Sequence, residues 1–229
     1  MDKVKLATAD FSKEMAKWAA WYMAVMVALY ILLMLFIDDS GINGMSFFFM
    51  ASGANRVFML VAGILTVFVF LERAIQLGLT RMTFMRAVLW TGVIFTVTLA
   101  LVAGIISLIL GVMPWFGTQT TASGMGGPVS MVLGHLLAAY LFYLAGFIIS
   151  IGFYRGWFGG LIAIVLGVGI AVAIESLWTF RTEGVLFELN MISGASGNIF
   201  LTVVFSGLLI LFTIALIQSL IRSLPIKIK

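Results

Sequence analysis

The chain has 229 residues, of which 63% are hydrophobic and only 10% charged, and its mean hydropathy is +1.21. No soluble domain of this size could cover such a composition with polar surface, so a water-soluble fold is excluded. The net charge of +4 comes from basic residues scattered over loop ends, which argues against a nucleic-acid partner, and with no Cys there are no disulfides or thiolate metal sites.

The apolar runs are continuous for about 20 residues, the length of a membrane-crossing helix, whereas a barrel strand alternates over about 10. Residues 1–17 form a polar, basic lead carrying Lys3, Lys5, Lys13 and Lys17. Phe11, Met15 and Trp18 share one helical face, so residues 10–18 are expected to lie in the membrane interface before the chain turns inward. The first span, 18–37, is too long for a cleavable signal and no small-residue cleavage site follows it, so it is read as a retained helix. Residues 40–55 read as an external loop whose Phe47, Phe48 and Phe49 dip into the headgroup region.

The second span covers 53–71, and a charged elbow follows at 72–86. Arg73, Arg81 and Arg86 crowd into it, which the positive-inside rule reads as a cytoplasmic loop. Gly78 suits the left-handed residue that ends a helix. Thr80 suits the N-cap of the next one. The expected result is a short helix along the cytoplasmic membrane face, then a sharp break and a new span.

The third span covers 87–113, and 117–130 is an uncharged external loop rich in Gly, Thr and Ser. The fourth span, 131–151, joins the fifth, 157–178, through the tight turn at Tyr154, Arg155 and Gly156, so the two are antiparallel neighbours. Residues 179–198 read as a short external interfacial helix, and the sixth span covers 199–220. The fold class is thus an all-α integral membrane protein, a single domain of six transmembrane helices over 1–229. On the side of the termini, the elbow and Arg155 lie 11 of the 13 Lys and Arg residues, and the other side has only Arg56 and Arg181. That bias places both termini in the cytoplasm.

Two constellations stand out within the spans. Gly159, Ala163, Gly167 and Ala171 recur every fourth residue on the fifth span, a small-residue seam of the kind that lets helices approach closely in lipid. It serves either ordinary intrachain packing or a sliding contact, and Ala103, Ser107 and Gly111 on the third span offer a partner ridge. Glu175 continues the seam by another step and so points into protein, and His135 on the fourth span lies at similar depth. A Glu175–His135 hydrogen bond near the outer face is the expectation, since ionisable groups inside a span are costly. No catalytic constellation emerges. There is no phosphate-binding loop and no His-Glu-x-x-His, and one His cannot build the usual metal site, so the chain is read as a non-enzyme without a metal of its own.

Gly78-Leu79-Thr80-Arg81, followed by Phe84 and then a span, resembles the loop after the second span in membrane subunits of Gram-positive ABC exporters. That loop typically reads Gly, an aliphatic residue, Ser or Thr, Arg, often a second basic residue, and a Phe shortly after; Met82 departs from the pattern. The chain length, the six spans and the basic lead also match the family in layout. The resemblance implies a permease subunit in the bacterial plasma membrane that pairs with a second permease copy or a related permease and with a separate ATPase subunit, where ATP and Mg would reside. It implies that Glu72, Arg73, Gln76, Gly78, Thr80, Arg81, Phe84 and Arg86 form the ATPase-coupling element. Its cargo would be amphipathic or antimicrobial peptides or lipid-like molecules, moved outward. Two other classes compete. One is the substrate-binding membrane subunit of a vitamin uptake transporter, for which Ala19, Ala20, Ala24 and Ala28 in the first span would be the partner contact. The other is a membrane immunity or assembly factor that works by binding alone.

Overall fold

The computed structural model describes residues 3–36, 46–112, 127–178 and 199–222. The expected external helix at 179–198, with Arg181, and most of the expected loop at 117–130 lie outside the described residues. Six helices account for nearly all of the rest: α1 Lys3–Phe36, α2 Phe47–Gln76, α3 Arg81–Val112, α4 Gly127–Arg155, α5 Trp157–Leu177 and α6 Ile199–Arg222. Each is long and apolar enough to cross a membrane, and no strand occurs among the described residues. This is a multi-pass helical membrane protein.

The helices form where the sequence offers uninterrupted apolar runs, because a helix satisfies every backbone donor and acceptor internally where no water is at hand. The few hydroxyls inside follow the same logic. Thr66, Thr91, Thr96, Ser206 and Thr213 each donate to the carbonyl four residues earlier, on Ala62, Ala87, Gly92, Thr202 and Leu209. Large apolar side chains such as Trp21, Leu35, Trp90, Leu108, Phe158 and Leu211 lie exposed on the outer faces, the surface that lipid would cover.

α4 is the most enclosed helix and the hub of the bundle, packing on α2, α5, α6 and α3. Its closest approach is to α2. A Cβ on Gly63 would overlap the Tyr143 carbonyl, and one on Gly146 would overlap the Leu60 carbonyl, so the two backbones are in direct contact at these glycines. Next to this crossing, the Tyr143 ring fills the space that a Gly92 side chain would need, and its hydroxyl donates to the Val88 carbonyl at 3.2 Å. The seam on α5 packs on the other side of α4. Gly159 and Ala163 face Gly152, and Gly167 faces Ile149. The partner of that seam is therefore α4 and not the Ala103, Ser107 and Gly111 ridge of α3. The single-residue joint at Gly156 folds α5 back along α4, so these two helices meet first.

Three expectations about boundaries change. α2 begins at Phe47, so Phe47, Phe48 and Phe49 are its first turn and not an external loop. Ser46 caps this start by accepting from the Phe49 amide, and Phe47 is buried edge-on against Tyr30 of α1 at 5.3 Å. The lead does not lie apart in the interface. It is continuous with α1, because nothing between Lys3 and Phe36 breaks a helix and Phe11 and Met15 are fully buried in the bundle. Finally, no separate short helix forms in the elbow. Glu72 to Gln76 are the last turn of α2, since the first residue able to reverse the chain is Gly78.

Candidate functional site

The elbow is a tightly specified turn. Gly78 sits in the left-handed region at φ 63°. The Leu79 amide donates to the Ala74 carbonyl at 3.0 Å and the Gly78 amide to the Ile75 carbonyl at 2.9 Å, the paired bonds of a Schellman motif that satisfy the open carbonyls of α2. Two residues later Thr80 opens α3. Its Oγ1 accepts from the Thr83 amide at 3.2 Å, and its carbonyl accepts from the Phe84 amide at 2.9 Å. Leu77 to Thr80 thus leave little freedom in the angle between the two helices.

Behind the turn lies an aromatic cluster drawn from four helices. Phe11 of α1 stacks on Phe70 of α2 at 4.6 Å and meets Phe84 of α3 edge-on at 6.1 Å; Phe84 in turn meets Phe147 of α4 at 6.4 Å, and Trp18 stacks on Phe70. Arg73 reaches Asp10 of α1 at 3.2 Å. Of the eight residues expected in the coupling element, Glu72, Arg73, Gln76, Gly78, Thr80, Arg81 and Arg86 are exposed, whereas Phe84 is buried. Phe84 therefore anchors the turn, and Glu72, Arg73, Gln76, Thr80, Arg81 and Arg86 present a polar, mainly basic surface around Gly78. Between the ends of α2, α4 and α6 the elbow overlies a groove of about 60 Å³, lined by Val67, Leu71, Ala74, Phe84, Phe147 and Ile151 among others, with Arg81 at its edge. Arg81 also donates to the Arg222 carbonyl at the end of α6, at 3.4 Å.

The opposite end of the bundle holds a polar cluster. Arg56 Nη1 reaches both carboxylate oxygens of Glu175, at 2.6 and 2.7 Å, and ties α2 to α5. Its neighbour Asn55 is fully buried, accepts from the Tyr22 hydroxyl of α1 at 3.0 Å and lies 3.5 Å from His135 Nε2 of α4. Phe48 packs edge-on against the imidazole at 5.4 Å. The expected pair of His135 and Glu175 does not form as such: the two side chains do lie in one cluster, but Glu175 takes Arg56 and His135 takes Asn55. The reason is the early start of α2, which carries Asn55 and Arg56 into the bundle between them instead of leaving them at its rim.

Sequence reasoning missed Tyr22, Asn55 and the structural part played by Arg56. A signal was present, because Phe47, Ala51, Asn55 and Met59 recur every four residues and are all buried, which is one face of one helix. No group of His, Cys, Asp or Glu among the described residues could hold a metal ion. In comparisons with known proteins, no family model, no curated protein and no solved structure matched the chain.

Proposed function

We propose that this chain is the transmembrane permease subunit of an ATP-driven ABC exporter in the bacterial plasma membrane, with its elbow seated on a separate ATPase subunit. The observation that carries the reading is the construction of the elbow. A turn fixed by Schellman bonds, a Thr cap and a buried Phe84 holds six polar side chains out from the bundle. Schellman and Thr caps also end ordinary helices. Here they combine with a buried aromatic anchor to fix a charged, exposed turn, which suits a surface that transmits force from a partner, because a loose loop would absorb the movement. The same stretch carries the Gly78-Leu79-Thr80-Arg81 resemblance. Asp10 and Phe11 of α1 brace it, so a push on the elbow would be shared by α1, α2, α3 and α4.

In this reading the elbow and both termini face the cytoplasm, and the ATP and Mg belong to the partner. A second permease copy would complete the pathway. Ala16, Ala20, Ala24 and Ala28 lie exposed in a row along α1, a surface on which another helix could approach closely. The vitamin-uptake alternative would use Ala20, Ala24 and Ala28 of this row for its own partner, with Ala19 buried in the bundle instead, and it leaves the elbow without a task. Amphipathic peptides or lipid-like molecules are the cargo that the resemblance implies.

The test is affinity purification of the chain from its native membrane in mild detergent, with identification of what accompanies it. An ATP-binding subunit should co-purify with the wild type and be lost from Arg81→Glu, which reverses the surface charge, and from Gly78→Pro, which cannot adopt φ 63°. A chain that is well folded and comes out alone in all three cases refutes the reading.

A further inference from the structure

We propose that the groove beneath the elbow is a binding site for an anionic phospholipid of the bilayer, with a short stretch of one acyl chain in the groove and the phosphate held by Arg81. The inference concerns a ligand of the fold and stands whether or not the chain is an exporter subunit.

The shape of the groove comes first. Its lining runs along α2 from Val67 to Ile75, a depth of about 12 Å at the rise of an α-helix. All but two of its lining residues are at least partly buried; the exposed ones are Ile75 and Arg81, so the mouth opens at the elbow. The interior is apolar, with Phe84, Phe147 and Ile151 at its back. Such a gap between membrane helices suits an acyl chain better than water, which would find almost no hydrogen-bond partner inside.

The charge around the mouth then selects the head group. Arg81 lines the groove at its mouth and ties the elbow to the end of α6 by its hydrogen bond to the Arg222 carbonyl. Arg155, next to the lining residue Tyr154, donates to the Leu220 carbonyl at 2.8 Å, one turn or less away on α6. Among the described residues no carboxylate pairs with Arg81 or Arg222, and Glu72, on the adjacent turn of α2, does not line the groove. Arg81 commits a single N–H to the Arg222 carbonyl and keeps the others for an anion. Basic pockets between membrane helices bind anionic lipid head groups.

The experiment uses the full chain, purified in mild detergent, delipidated, and returned to phosphatidylglycerol or phosphatidylcholine. Retained lipid is read by mass spectrometry of the intact complex and stabilisation by thermal unfolding. The wild type should retain phosphatidylglycerol in preference and be stabilised by it, with Arg81 contributing about a fivefold preference over the zwitterionic lipid. Arg81→Gln should lower that preference by this factor while still admitting a chain. Ile75→Trp, at the exposed mouth where folding is not at stake, should abolish retention of both lipids. Equal retention of the two lipids by the wild type, or retention that neither variant changes, overturns the proposal. So does a groove found to hold a peptide segment of a partner instead.

Discussion

Two arginines on α2 make the same kind of contact at opposite ends of the bundle, and the difference between them separates the two ends. Arg56 is only 16% exposed and reaches a Glu175 that is 43% exposed, whereas Arg73 and its partner Asp10 are 49% and 38% exposed. In the first case a charge has been carried into a span and must be paired; in the second, two charges at the surface meet and lose little if parted. The polar end is therefore held together by its ion pair and by the Tyr22–Asn55 bond. The elbow end is held by aromatic packing and backbone bonds, which leaves its charged side chains available to something outside the chain. The one end spends its polar groups on itself, and the other displays them, as the proposed docking surface requires.

The comparison can be broken at several strengths. The largest effect should come from the joint on which both ends depend. Gly146→Val places a side chain into the Leu60 carbonyl, so α2 and α4 must part, with an expected loss of about 3 kcal/mol or more. Thermal unfolding in detergent should show both ends loosening together. Glu175→Gln leaves Arg56 in the span without its counter-charge and should cost about 2 to 3 kcal/mol, somewhat below a fully buried pair because the carboxylate is partly exposed. The double change Arg56→Met with Glu175→Leu should recover most of that, which a double-mutant cycle would measure. Gly78→Ala forces a side chain into the left-handed region and should cost about 1 kcal/mol, seen as faster amide exchange at Leu77 and Leu79 and little change elsewhere. Smallest of all, Arg73→Ala should alter unfolding by less than about 1 kcal/mol. If Arg73→Ala and Glu175→Gln prove equally damaging, the contrast between the two ends fails.

Much of this was legible in the chain. The six spans could be read because lipid admits few structures and a continuous apolar run is a long-range signal that no local detail overrides. The elbow could be read because Gly78 and Thr80 each have a strong local reason to be where they are. The start of α2 could not be read from composition, since a run of Phe beside Gly, Ser and Asn looks the same in a headgroup loop and in a packed first turn; only the buried face through Phe47, Ala51 and Asn55 tells them apart. That one boundary misplaced Arg56 and with it the partners of Glu175 and His135. The seam on α5 was visible as a four-residue repeat. The tighter Gly63–Gly146 crossing was not, because it rests on one glycine from each helix and on how the helices meet. The groove has no local signature at all, being the space left where α2, α4 and α6 diverge.

The most direct test of the account is a photo-crosslinking residue placed at Gln76, on the displayed surface of the elbow, and separately at Phe36, the exposed last residue of α1 at the other end. Irradiated in the native membrane, the chain labelled at Gln76 should form an adduct with an ATP-binding subunit, and the chain labelled at Phe36 should not. An elbow that captures no such subunit, or two ends that capture the same proteins equally, would contradict the claim that this turn is built to meet a partner.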